Sequence, residues 1–280
     1  MNRIAPRFAA LKAKGKSAFV AYVMAGDPDP ETAFRILEGL PGAGADVIEL
    51  GFPFSDPMAE GPPIQRAAQR ALKSGMTLRG VLDLVRRFRR QDEATPIVLM
   101  GYLNPLMTFG FEAFADAAAE AGVDGLIVVD CPPEEADPLA DALDRTGVSL
   151  IRLATPTTDD RRLPVVVRRT SGFVYYVSVA GVTGVKEADA AAIAPAVERV
   201  RRASGLPVAV GFGIRTPERA AEVARIADAA VVGSALVDRI AWALESNEDP
   251  AAKVLETAAQ LAQAVHSART NSRVESKAEA

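Results

Sequence analysis

Apolar, β-branched runs of strand length recur eight times along this 280-residue chain. They fall at residues 18–24, 45–50, 97–100, 125–130, 149–153, 172–178, 208–210 and 229–233. Such near-continuous apolar runs are what parallel strands buried on both faces require. Helix signals lie between them. Asp29-Pro30-Glu31 reads as an N-cap, a proline at the first helical position and an acid, and Thr216-Pro217-Glu218 repeats the pattern. Leu78, Val81, Leu82, Val85 and Phe88 share one helical face, as do Val254, Leu255, Ala258, Leu261, Ala262 and Val265. Most strand-to-strand intervals hold roughly 25 to 30 residues, one βα unit each. The interval after the second strand is about twice as long. It carries a Pro/Gly-rich loop at 51–62 and two helical segments, 62–74 and 77–90. Eight units predict an α/β fold of the (β/α)8 TIM-barrel type, as one catalytic domain over residues 1–266. A doubly wound open sheet alternates similarly, and the number of units favours the barrel. The residues before Ala18 predict an extra N-terminal helix across the barrel floor. Residues 267–280 are polar and are expected to form a disordered tail.

Composition narrows the function. Hydrophobic residues make up 49% and charged residues 24%, which suits a packed core. The net charge is −4, and the arginines at 86–90 sit on a helix-like stretch, so nucleic-acid binding is not expected. The longest apolar runs are too short to span a membrane. Residues 1–6 lack the apolar core of a secretory signal. The single cysteine, Cys131, excludes an internal disulfide and suits a reducing cytoplasm. The only histidine is His266, near the polar end. A histidine-ligated metal site and a histidine-based triad are therefore disfavoured, and no metal is expected. Proton chemistry falls to Glu, Asp, Tyr or Lys.

In a barrel the strand C-termini converge on one face. Read there, the chain offers Asp27, Glu49, Tyr102 with Asn104, Asp130, Tyr175 with Ser178, Gly211 to Gly213, and Gly233-Ser234. No lysine is among them, which disfavours a Schiff-base aldolase. Glu49 is flanked by Val47, Ile48 and Leu50, so burial and a raised pKa are expected. Glu60 closes the same loop, and two carboxylates bracketing one loop suit an acid/base pair. The plain alternative for a strand-end glutamate is an arginine partner or solvent. Gly211-Phe-Gly-Ile214 and Gly233-Ser-Ala235 follow strands seven and eight, where such barrels bind phosphate. Asp56 and Asp130 also suit simple turns. Tyr102 and Tyr175 also suit core aromatics. Cys131, with no histidine nearby in sequence, reads as inert. Ala180-Gly-Val-Thr-Gly184 reads as a loop after strand six, either a mobile lid or a surface turn.

The stretch Glu49-Leu-Gly-Phe-Pro-Phe-Ser-Asp-Pro-Met-Ala-Glu-Gly-Pro-Pro-Ile-Gln65 strongly resembles the tryptophan synthase alpha chain family. Gly101-Tyr-Leu-Asn-Pro105, Asp130-Cys-Pro-Pro-Glu-Glu135, Ala180 to Gly184, Gly211 to Ile214 and Gly233-Ser234 match in order, and the resemblance runs from about residue 3 to 266. It implies retro-aldol cleavage of indole-3-glycerol phosphate to indole and glyceraldehyde 3-phosphate. It also implies no cofactor on this chain, and a beta-chain partner carrying pyridoxal phosphate in an α2β2 assembly. By the same resemblance Glu49 is the proton shuttle and Glu60 steadies the indole N–H. Tyr22, Met100, Tyr102, Ile127, Val129, Leu153, Tyr175, Thr183 and Phe212 match substrate positions. Gly184, Gly213, Gly233 and Ser234 match the phosphate cradle. Pro53, Asp56 and the 180–190 loop match the surface facing the beta chain. The chain departs from the family at Glu60, commonly Asp, at Tyr22, more often Phe, and at Val179, frequently Arg. Glu60 leaves a second expectation open, that of a chain serving mainly as an allosteric activator of its partner with weak lyase activity. Isomerase or synthase barrels of the same pathway share the phosphate cradle. They call for a strand-end lysine or cysteine base, which this chain lacks in the right place.

Overall fold

The computed structural model describes residues 2–178, 190–211 and 213–278. Among them, eight strands close into a barrel in chain order. They are β1 (Ala18–Met24), β2 (Val47–Gly51), β3 (Ile97–Gly101), β4 (Gly125–Val128), β5 (Ser149–Ala154), β6 (Val174–Val177), β7 (Val208–Gly211) and β8 (Ala229–Val232). Every neighbouring pair is parallel, and the ring shuts where Ala18 to Ala21 of β1 align with Ala229 to Val232 of β8. The helices are α1 (Ile4–Ala13), α2 (Pro30–Gly39), α3 (Pro62–Lys73), α4 (Leu78–Arg89), α5 (Leu103–Phe109) and α6 (Phe111–Ala121), then α7 (Asp137–Thr146), α8 (Leu163–Val167), α9 (Ala190–Ser204), α10 (Pro217–Ile226), α11 (Ser234–Glu245) and α12 (Pro250–Ala278). The eight expected strands and the barrel are all present. Both expected N-caps form: Asp29 accepts from the Glu31 and Thr32 amides, and Thr216 accepts from the Arg219 amide.

The strands are mostly apolar because each face meets a different core. Val20, Val47, Val98, Ile127, Ile151, Phe173, Ala209 and Val231 point inward and form one cluster. Ile48, Leu50, Leu99, Leu126, Leu150, Val174 and Val210 point outward and pack under the helices. The floor is closed by α1, as expected: Ile4, Phe8 and Leu11 join the inner cluster, and the Phe8 and Phe173 rings lie 5.6 Å apart.

Asp124, buried just before β4, locks that floor. It accepts from the Arg3 amide at 2.9 Å, the Arg3 guanidinium at 3.0 Å, the Arg89 guanidinium at 2.9 Å and the Ile97 amide at 2.9 Å. One carboxylate thereby joins α1, α4 and β3 to β4. A buried carboxylate is tolerated when its oxygens are met this fully.

The boundary expected at residue 266 falls inside α12, which continues to Ala278. Extending an existing helix needs no new nucleus, so polar residues prolong it easily. Ala268 is buried, and the Arg269 guanidinium donates to the Ala224 and Ala227 carbonyls near the end of α10 at 2.9 and 2.6 Å. Among the described residues no helix is long and apolar enough to cross a membrane.

Replacing Asp124 by Ala takes the carboxylate from two guanidiniums and leaves the Arg3 and Ile97 amides without their side-chain acceptor. The expected loss is about 3–5 kcal/mol, read as a lower urea midpoint; an unchanged midpoint would remove Asp124 from the list of what holds the floor.

Candidate active site

Alternation along β2 turns Val47, Glu49 and Gly51 toward the barrel axis, as Val47 belongs to the inner cluster. Glu49 is 2% exposed, and its Oε2 has no hydrogen-bond partner among the described residues. Burial pushes its carboxyl up to about 8, and the nearby Glu60 charge adds to the rise. Glu60, half-buried in the loop after β2, is itself pushed up to about 7 by desolvation. The two expected acids are thus brought together, and burial raises both carboxyls toward neutrality. A strand glutamate paired to arginine or facing solvent is not what the structure contains.

Tyrosines flank the pair. Tyr22 of β1 stands level with Glu49, and Tyr175 of β6 stands level with Ala209 on β7. Burial raises both phenols well above their ordinary range, and the Glu49 and Glu60 charges raise them further. Each ring is seated on a glycine of the next strand. A Cβ at Gly51 would lie 2.4 Å from the Tyr22 hydroxyl, and one at Gly211 would lie 1.9 Å from the Tyr175 hydroxyl. Phe52 repeats the device against Gly101, where a Cβ would come within 2.3 Å of the ring. Tyr102, just past β3, accepts a hydrogen bond from the Ala59 amide at 3.0 Å and stacks obliquely on Phe54 at 5.3 Å. It therefore holds the loop that carries Glu60.

The expected apolar residues line a bowl above this layer. Ile127 is buried, whereas Met100, Val129 and Leu153 are half-buried against the inner cluster. Val177 of β6 completes the rim and was not anticipated, although alternation from Tyr175 points to it. Opposite lie the two glycine turns. Gly213 takes φ +80°, a left-handed conformation that favours glycine. Gly233 is the N-cap of α11, with Ser234 its first residue, and no side chain caps that helix. Unmet first-turn amides and the helix dipole favour an anion at that place.

The remaining expected residues fall as follows. Thr183, Gly184, Phe212, Val179 and the rest of residues 179–189 lie outside the described residues. Pro53 is buried and Asp56 is exposed beside the Ser55 hydroxyl, 2.6 Å away. Asp27 is fully buried and gripped by Arg70 of α3 through two hydrogen bonds, 2.6 and 2.8 Å. Asp130 accepts from the Leu103 amide at 2.8 Å, at the start of α5. The Cys131 thiol is buried and pushed up by desolvation, opposed by Arg152. Among the described residues no His/Cys/Asp/Glu group has metal-holding geometry.

Fold and site define an eight-stranded parallel βα barrel that buries a raised carboxyl among its strands. Comparison with known proteins gives the particular family. The model of the tryptophan synthase alpha chain family matches residues 8–266. The tryptophan synthase alpha chain of Phenylobacterium zucineum is 76% identical over 267 residues, covering 95% of this chain and 96% of the relative. That of Caulobacter vibrioides is 72% identical over 272 residues, covering 97% and 99%. Among solved structures, tryptophan synthase subunit alpha from Legionella pneumophila superposes with a TM-score of 0.88 at 44% identity, covering 95% and 98%. A tryptophan synthase chain from M. tuberculosis gives 0.84 at 33% identity, covering 95% and 99%. The chain belongs to the tryptophan synthase alpha chain family, and is thereby a lyase of tryptophan biosynthesis.

The raised Glu49 has a consequence for stability. Between the ordinary value of 4.5 and about 8, the folded state binds more protons at Glu49 than the unfolded state. Its burial therefore costs increasing stability as pH rises through that window. Glu49→Gln is expected to stabilise the protein at pH 8 by the order of a few kcal/mol, with the gain fading toward pH 5. Urea midpoints at the two pH values check this, and equal midpoint differences would contradict the burial of a reluctant charge.

Proposed function

We propose that Glu49 drives the retro-aldol cleavage of indole-3-glycerol phosphate, lending and then recovering one proton. Protonated Glu49 delivers its proton to indole C3, which becomes tetrahedral, and positive charge develops at the ring N–H. Glu60, as carboxylate, accepts a hydrogen bond from that N–H. The glycerol hydroxyl next to C3 then loses its proton to the Glu49 carboxylate. Its O–H electrons form the aldehyde C=O, and the electrons of the C3–carbon bond return to the ring. Indole leaves with the new hydrogen at C3, and glyceraldehyde 3-phosphate carries the carbonyl. Every transfer is a proton moving on or off a side chain, so the chain is assigned no cofactor of its own.

The observation that carries this role is the buried Glu49 carboxyl, held near neutrality beside Glu60. The supporting parts follow the same logic. Tyr22, Met100, Ile127, Val129, Leu153, Tyr175 and Phe212 are assigned to the indole ring, and Tyr102 to the reacting end. Thr183 is assigned to ordering Glu49. Gly184, Gly213, Gly233 and Ser234 are assigned to the phosphate, with the uncapped start of α11 as its physical attraction. The exposed Asp56 and the neighbouring Pro53 are assigned to the face that meets a beta chain, in an α2β2 assembly whose pyridoxal phosphate sits on the partner. A cytoplasmic location fits the single cysteine and the pathway. A chain acting mainly as an activator is disfavoured by Glu60, whose carboxyl lies near enough to raise Glu49.

The test follows indole released from indole-3-glycerol phosphate, with and without a beta chain. Glu49→Gln is expected to cut turnover by about 10²–10⁴-fold in both conditions; undiminished turnover rejects the shuttle. Glu60→Asp keeps the carboxylate and is expected to remain active.

The pH profile gives a second check. Turnover needs Glu49 protonated and Glu60 ionised, so it is expected to peak between about 7 and about 8. A rate rising steadily past that interval would assign the proton to another group.

A further inference from the structure

We infer that Gln65 is the positioning residue that fixes Glu60 in the site, acting through the main chain of the Glu60 loop. The inference rests on the role proposed for Glu60. That loop turns on itself at 57–60, where the Glu60 amide donates to the Pro57 carbonyl at 3.1 Å. Gln65, in the first turns of α3, reaches back to the same two residues. Its Nε2 donates to the Glu60 carbonyl at 3.0 Å and to the Pro57 carbonyl at 3.4 Å. An amide NH2 has two hydrogens, and here each has an acceptor. One side chain ties both ends of the turn to a helix.

That helix is itself immobilised. Ile64, Ala67, Ala68 and Ala71 bury its inner face, and Arg70 holds Asp27 at the end of β1. From the other flank, Tyr102 accepts from the Ala59 amide. The turn is clasped between α3 and the end of β3.

Apolar packing does not do this work. Met58 is 77% exposed and Ala59 is exposed, so the turn has little buried surface of its own. Hydrogen bonds to the backbone are what remain to set its place. Glu60 needs such a fixed root, because its side chain can be aimed at the indole N–H only from a backbone that is held in place. A displacement of about 1 Å at a catalytic group can lower turnover by about 100-fold.

The experiment measures kcat, KM and pH profiles of indole formation for the full chain and three variants: Gln65→Met, Glu60→Gln and the double substitution. Methionine keeps the length and removes both donors. Gln65→Met is expected to lower kcat by about 10- to 100-fold, leave KM little changed and move the acidic limb of the profile. In the Glu60→Gln background the same change is expected to matter little, because no carboxylate remains to be placed. Equal losses in both backgrounds, or no loss in either, overturn the inference. Full activity in Glu60→Gln alone would instead remove the role of Glu60, a failure of the proposed mechanism distinguishable from failure of the clasp. If Gln65→Met does not fold by thermal melting, Tyr102→Phe reads the clasp from its other side. It removes the acceptor for Ala59, and the same comparison between backgrounds decides.

Discussion

A carboxyl group enclosed inside the barrel with one oxygen unmatched is the constraint around which the upper face is arranged. Such a group is unfavourable when charged, and the protein tolerates it only because the rest of the barrel is so completely packed. The inner cluster below Glu49 is buried and apolar down to the α1 floor. That cluster supplies no counter-charge, so burial holds the Glu49 carboxyl well above its ordinary range. The same low-polarity setting raises Glu60, Tyr22 and Tyr175 together. The chemistry at the mouth and the packing at the base are two results of one arrangement.

Space for the site comes from glycine. Three aromatic rings would strike the neighbouring strand if it carried any side chain at Gly51, Gly101 or Gly211. Leaving out those Cβ atoms lets large rings lie close to the barrel wall, and the bowl stays open above them. Half-burial of Met100, Val129, Leu153 and Val177 marks its lining. In the proposed role, that lining receives the aromatic ring of the substrate, and Glu49 and Glu60 face its polar edge.

Most of this was legible from residue order because two periodicities carry it. Strand runs and helix caps fix the eight units, and strand ends name Glu49, Tyr102, Tyr175 and Gly233 as neighbours before any coordinates. The resemblance to the alpha chain family supplied Tyr22, Met100, Ile127, Val129 and Leu153. What escaped has no periodic signature. The brace from Gln65 runs from a side chain to backbone carbonyls, which every residue possesses. Val177 was overlooked between two more polar neighbours. The reach of α12 to Ala278 was hidden by composition, because a polar segment looks alike whether it prolongs a helix or not. The grip of Arg70 on Asp27 joins residues 43 positions apart and left no mark in local sequence.

The ring shuts between the first strand and the last, where Ala18 meets Ala229, and α12 packs over β1, α2, α10 and α11 at that seam. A ribosome releases these partners at opposite ends of its task. While the later strands are still being made, β1 has one edge without its neighbour, and the amides and carbonyls along it stay open. Closing so long a loop is entropically slow compared with pairing adjacent units. The ring therefore cannot shut before β8 exists, and the two strand edges that meet at the seam are the last in the barrel to find their partners.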